Sequence, residues 1–179
     1  MQKRKIEQVD LFYLSLPHVL DIGDGSQDAL LIRVVAGEFV GWGECEASPL
    51  TTIASMVSPL SHSGCKPVLA SVLGQPLESI DDLLRIHQNV RMNSMDLLQA
   101  DHALSGIDIA LWDLLGKLSN LPLVNMIGGA RDGVLAYGSG GSLSLQRDEL
   151  LSEAKLFASH DYSAFKYKAG LGLQEDTQR

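Results

Sequence analysis

Residues 134 to 179 read as strand, helix, strand and the start of another helix, an order that few folds accommodate. Val134 to Tyr137 is a short strand running into Gly138-Ser139-Gly140-Gly141-Ser142. A helix is expected from about Arg147 to Ser159, with Asp148 and Glu149 in the first turn, where the helix dipole favours acids. Ala164 to Lys168 is the next strand, followed by a glycine-rich turn and the polar Gln174 to Arg179. Strands joined through a helix run parallel, and parallel strands are ordinarily covered on both faces. One βαβ unit cannot provide that cover, so this segment reads as the beginning of a larger sheet.

The second of these strands carries two cations. Side chains two apart on a strand share a face, so Lys166 and Lys168 project the same way, roughly 7 Å apart. Phe165 and Tyr167 face the other way, towards covering helices. On a solvated edge the two lysines would be unremarkable. Inside a barrel they would be costly without anionic partners, and each would make the other easier to deprotonate. A lysine tuned in that direction removes protons near neutral pH.

Upstream the pattern differs. Ile6 to Leu16, Ala29 to Ala36 and Phe39 to Cys45 are strands, the last two joined by a tight turn at Ala36-Gly37-Glu38. Two long polar loops belong to this antiparallel meander, His18 to Gln27 between its first two strands and Glu46 to Gly64 after its third, and long loops are frequently functional. From Pro67 to Lys117 the reading is helical: a short helix after Pro67, a second over Ser79 to Arg91, and a long third capped by Ser94. In that third helix Leu97, Leu104, Ile107, Leu111, Leu114 and Leu115 recur at spacings of three, four and seven. Asn120-Leu121-Pro122 breaks it.

Composition narrows the function. With 179 residues, 45% of them apolar, and a net charge of −8, the chain suits a folded acidic protein and not a nucleic-acid or anionic-membrane binder. Cys45 and Cys65 have neither metal nor disulfide-framework spacing and read as reduced thiols. The absence of an apolar leader or long apolar span sets a cytoplasmic expectation.

The remaining motifs are weaker. Asp108 and Asp113 are five apart on the long helix and do not share a face, so they read as partners for loop backbone groups or solvent, not as a metal pair. Gly138 to Ser142 lacks the lysine of a P-loop and reads as a βα turn, which in a (β/α) barrel lies at the catalytic face. Ser139 could reach a ligand from there. The five histidines have no ligand spacing and read as surface or capping residues; His18, in the first long loop, is the one best placed to meet a substrate.

Taken together, "VGWGEC" (Val40 to Cys45), "ALSGIDIALWDLLGK" (Ala103 to Lys117), "LPLVNMIGG" (Leu121 to Gly129), "YGSGGS" (Tyr137 to Ser142) and "FKYKAG" (Phe165 to Gly170) resemble the mandelate racemase/muconate lactonizing enzymes of the enolase superfamily. The resemblance implies an α+β capping domain, an antiparallel meander plus helices, over residues 1–133. It implies the first βαβ unit of an incomplete (β/α) TIM-type barrel over residues 134–179. By the same resemblance Lys168 matches the lysine that moves the proton α to a carboxylate. Lys166 matches the lysine that stabilises the enolate and loosens the first lysine's proton. Ser139, with Tyr137 beside it and His18 in the cap, are the substrate-binding candidates. The loops His18 to Asp24 and Ser48 to His62 match the cap loops that close over the substrate.

The implied parent is a Mg²⁺-dependent racemase, epimerase or acid-sugar dehydratase acting on a small carboxylate, with a cycloisomerase of the same fold as an alternative. Its metal ligands come from later barrel strands, so no acid of this chain is carried over as a ligand. A barrel takes about 250 residues. The expectation is an N-terminal portion, inactive alone, whose open sheet is covered by the missing barrel segment or by another copy in a homo-oligomer. A non-catalytic interaction module is the other reading.

Overall fold

The structure is a computed structural model, and it describes residues 4–19, 27–45, 48–98 and 101–179. The chain divides into two compact units, one ending at Gly129 and the other spanning Ala130–Arg179. No helix among the described residues is long and apolar enough to cross a membrane.

The first unit is an antiparallel sheet covered by helices. Strands β1 (Gln8–Leu14), β2 (Ala29–Ala36) and β3 (Phe39–Cys45) pair in the order β1-β2-β3. The β2–β3 turn places Gly37 at a φ of +61°, which a II′ hairpin requires of its first central residue and glycine adopts without strain. Along β2 the pattern of period two is complete: Leu30, Ile32, Val34 and Ala36 are buried, while the residues between them are half-buried on the outer face.

The covering element is α3 (His102–Ser119), whose Leu104, Ile107, Ala110, Leu111, Leu114 and Leu115 are buried. Two glycines of "VGWGEC" let it lie close to β3. A Cβ on Gly41 would run into the carbonyl of Ala110, and one on Gly43 into the carbonyl of Gly106. The outer edge of β3 is also satisfied by α3. Asp113 Oδ2 accepts the Trp42 amide at 2.8 Å, and Lys117 Nζ donates to the Val40 carbonyl at 2.8 Å while pairing with Asp113 at 2.7 Å. An edge strand whose backbone groups are occupied in this way no longer templates another strand. Asp113 thus meets a backbone group of a strand and not of a loop, because α3 lies along β3, and Asp108 meets the His87 ring.

Around α3 pack α2 (Ile80–Asn93), through Leu83, Ile86 and Val90, and α1 (Pro49–Val57), through Met56. Ser79 caps α2, accepting the Asp82 amide at 3.2 Å. A short α4 (Leu123–Met126) follows Asn120, which ends α3 in the left-handed conformation.

Three boundaries differ from expectation. The segment expected as a loop, Glu46 to Gly64, contains α1; Pro49 presets its first turn, and Pro49, Thr52 and Met56 form a buried stripe at helical spacing. Ser94 does not cap the long helix. Its amide bonds the Val90 carbonyl and closes α2, and α3 begins only at His102. The helix after Pro67 is a single 3₁₀ turn, Val68–Ser71.

The second unit is smaller. Strand β4 (Gly138–Ser139) is followed by α5 (Arg147–Ser159), β5 (Phe165–Lys166) and α6 (Leu173–Gln178). β4 and β5 are parallel, as the strand–helix–strand order requires. A capping box starts α5, with Glu149 accepting the Gln146 amide at 2.8 Å. Val134 to Tyr137, expected as strand, is extended chain outside the sheet. Pairing begins where the Gly138 amide reaches the Ala164 carbonyl, and the residues before it have no strand beside them among the described residues.

Candidate active site

Glycine and phenylalanine decide which way the two lysines face. Gly138 pairs with Phe165, and Ser139 with Lys166. The Phe165 ring stacks on Phe157 of α5 with centroids 5.5 Å apart. A Cβ on Gly138 would strike that same Phe157 ring. Gly138 and Phe165 therefore point at α5, and alternation sends Ser139 and Lys166 to the opposite face. Both are exposed in this unit, and Tyr137, just before β4, is exposed as well. Lys168 follows on the same strand line and is half-buried.

The backbone around Lys168 is tied on both sides. Its amide donates to the Gly141 carbonyl at 2.9 Å, one residue further along the β4 side than regular pairing would place it. Gly141 sits at a φ of +65°, and its own amide donates to Glu153 Oε2 of α5 at 2.7 Å. The Lys168 carbonyl accepts from Arg179 Nη1 at 3.3 Å. Arg179 Nη2 reaches the carbonyls of Ser142 at 3.0 Å and Leu145 at 3.2 Å. Glu153 and Arg179 had no signal in sequence reasoning, because they act on backbone groups and not in a side-chain motif. The glycine pair Gly140-Gly141 was the available clue: a Cβ at Gly140 would lie 2.6 Å from the Glu153 carboxylate.

Ser139 and Lys166 are thus paired neighbours on the short parallel sheet, and Lys168 follows two positions after Lys166, beyond the end of β5. His18 lies in the first unit, on an exposed bend after β1, and residues 20–24 of its loop lie outside the described residues. The root of that loop is held by Asp28, which accepts the Tyr13 hydroxyl at 2.6 Å and the Leu16 amide at 2.9 Å. The Tyr13 hydrogen bond, with the Leu16 amide, holds the Asp28 carboxyl below its ordinary value. The same contact raises the Tyr13 phenol. In the second cap segment, His62 Nε2 lies 2.6 Å from Asp96. His87 Nδ1 lies 3.1 Å from Asp108, while its Nε2 accepts from Arg91 Nε at 3.1 Å, which fixes the ring proton on Nδ1. These two histidines serve as surface and inter-helix partners.

Enolase-superfamily sites use a Lys or His base with Mg²⁺. Among the described residues no three His, Cys, Asp or Glu side chains converge to hold a metal ion. The residues present therefore do not fit that group by themselves, and no step is derived through it.

Residues 8–128 match the family model described as mandelate racemase/muconate lactonizing enzyme, N-terminal domain. The chain belongs to the mandelate racemase/muconate lactonizing enzyme family. It is 32% identical over 144 residues to the D-galactarolactone cycloisomerase of Agrobacterium fabrum, an alignment covering 76% of this chain and 35% of that protein. It is also 32% identical over 124 residues to the L-talarate/galactarate dehydratase of Salmonella typhimurium, covering 66% of this chain and 30% of that protein. A solved structure, a predicted mandelate racemase from Rhodobacter sphaeroides, superposes with a TM-score of 0.81 at 51% identity, covering 92% of this chain and 42% of the other. The chain spans about a third of the length of these two curated relatives.

Proposed function

We propose that this chain supplies the cap and the first proton-transfer strand of an enzyme that removes the proton α to the carboxylate of a hydroxy acid or acid sugar. The observation that carries this reading is the register of β4 and β5. It puts Ser139 and Lys166 side by side on the face turned away from α5, with Lys168 two positions further along the chain. Support for the substrate class comes from the relatives, whose names specify galactarate, talarate and arabinonate dehydration.

In this reading Lys168 Nζ, as the neutral amine, takes the α-proton. The C–H electron pair moves into the carboxylate and gives an enediolate. Such a proton is very weakly acidic, so the new charge needs cations aimed at the oxygens, and the Lys166 ammonium supplies one. The Ser139 hydroxyl donates to a carboxylate oxygen, with Tyr137 on the same side of the chain. A metal held by acids from the rest of such a barrel would add further positive charge beside those oxygens. Return of a proton to the opposite face inverts the centre. Departure of the β-hydroxyl as water completes a dehydration.

A cycloisomerase begins from the same chemistry, and the match to the Agrobacterium fabrum enzyme favours keeping it as the second reading. The test mixes the 179-residue chain with the later barrel segments of the Rhodobacter sphaeroides homologue, adds Mg²⁺, and follows α-deuterium incorporation by NMR over a panel of acid sugars and hydroxy acids. Exchange that disappears in Lys168→Ala is the expected result. A formed complex with no exchange, or exchange indifferent to Lys168, overturns the reading, and product identity separates dehydration from cyclisation.

A further inference from the structure

We propose that Glu153 and Arg179 are positioning residues that clamp the peptide groups on either side of Lys168 and so set where its amine is presented. The inference rests on the assignment of Lys168 as the proton-removing residue, but its geometry stands independently. Regular pairing of β4 and β5 ends at Ser139 and Lys166, and Tyr167 separates Lys166 from the lysine that has to be placed. Beyond the end of a two-residue ladder a strand frays unless something else holds it.

The holding contacts come from two elements. From α5, Glu153 Oε2 takes the Gly141 amide at 2.7 Å and fixes that residue in its left-handed conformation. Gly141 in turn presents its carbonyl to the Lys168 amide. From the residue after α6, the Arg179 guanidinium takes the Lys168 carbonyl and, through its other terminal nitrogen, the carbonyls of Ser142 and Leu145. One carboxylate and one guanidinium therefore bind both the loop after β4 and the end of β5. Each bond has a charged partner, the stronger kind. The space at Gly140 belongs to the same device, since a Cβ there would meet the carboxylate. A change in either residue would leave the lysine in place chemically while letting its backbone wander, and catalytic groups misplaced by about 1 Å lose on the order of a hundredfold in rate.

The experiment measures amide hydrogen exchange of the 179-residue chain by NMR, together with acylation of Lys168 across a pH series, with Lys155 as internal reference. In Arg179→Ala and Glu153→Ala, the Lys168 amide is expected to exchange about tenfold faster, while the Leu111 amide in the other unit keeps its protection. The pH profile of Lys168 acylation shifts and that of Lys155 does not. Arg179→Lys and Glu153→Gln, which keep a donor and an acceptor, recover part of the protection. Unchanged Lys168 exchange and an unchanged acylation profile in both alanine variants overturn the clamp. Loss of proton abstraction in Lys168→Ala belongs to the functional reading, and loss of amide protection to the clamp, so either can fail without the other.

Discussion

Cys45 shows how far a single side chain's chemistry follows from its surroundings. It ends β3, is 2% exposed, and its Sγ donates to the His102 carbonyl at 3.1 Å. Burial pushes the thiol up to about 11. At pH 8 only on the order of one molecule in a thousand carries the reactive thiolate there. Alkylation of the native chain, mapped by mass spectrometry, is therefore expected to modify Cys65, which is half-buried, and spare Cys45 until the protein is unfolded. Asp28 gives the opposite sign. Its folded value lies below the ordinary carboxylate one, chiefly through Tyr13, so the contact stabilises the loop root above the unfolded value. That contribution is lost as pH falls through the lowered folded value. Tyr13→Phe is expected to move the Asp28 titration, read by carboxyl carbon NMR, upward towards 3.8. No movement would show that the hydroxyl does not hold the carboxylate.

The contact between α3 and β3 depends on residues that are small on both sides. Gly106 on the helix faces Cys45 and Ile32, and a Cβ on Gly43 of the strand would meet the Gly106 carbonyl and lie 2.8 Å from the Ala110 amide nitrogen. The obstacles at Gly43 are backbone atoms, which cannot swing aside. Gly43→Ala is therefore expected to cost at least about 1–3 kcal/mol, the range for overpacked sites. Gly133→Ala, where a Cβ meets open space, should stay within about 0.5 kcal/mol. Urea midpoints of the two variants against the parent chain decide it, and equal midpoints would mean that helix and strand are not in the close contact described. The same contact explains why the long helix was readable from its spacing while its start was not. Its apolar positions repeat along the sheet, whereas Ser94 is a good cap by type and its amide is already committed to α2. Likewise α1 hides in a Ser- and Thr-rich stretch, since what makes it a helix is the burial of Thr52 and Met56.

Across the whole chain, readability tracks the range of the contacts involved. Alternation alone set Lys166 on the face opposite Phe165, and the order of elements alone made β4 and β5 parallel, because both rules act over a few residues. Glu153 and Arg179 were invisible because a hydrogen bond to a distant backbone amide or carbonyl imposes no spacing. The same contrast in range predicts how the chain unfolds. The first unit has a continuous core from Ile6 on the N-terminal side to Leu115 in α3. In the second, Leu150 is the one buried hydrophobic side chain among the described residues, while Leu135, Leu156 and Leu173 are exposed. Burial of apolar surface supplies most of the stability of any such unit, at about 25 cal/mol per Å². Segments with few buried contacts open at lower free energy than the core. In a urea series followed by hydrogen-exchange mass spectrometry, peptides from α5 are therefore expected to lose protection at clearly lower urea than peptides from α3. The three-stranded sheet should melt with α3, since Leu30, Ile32 and Val34 share its core. A single coincident transition for α3 and α5 would sink this expectation, because the second unit would then be drawing its stability from more than its own few buried side chains.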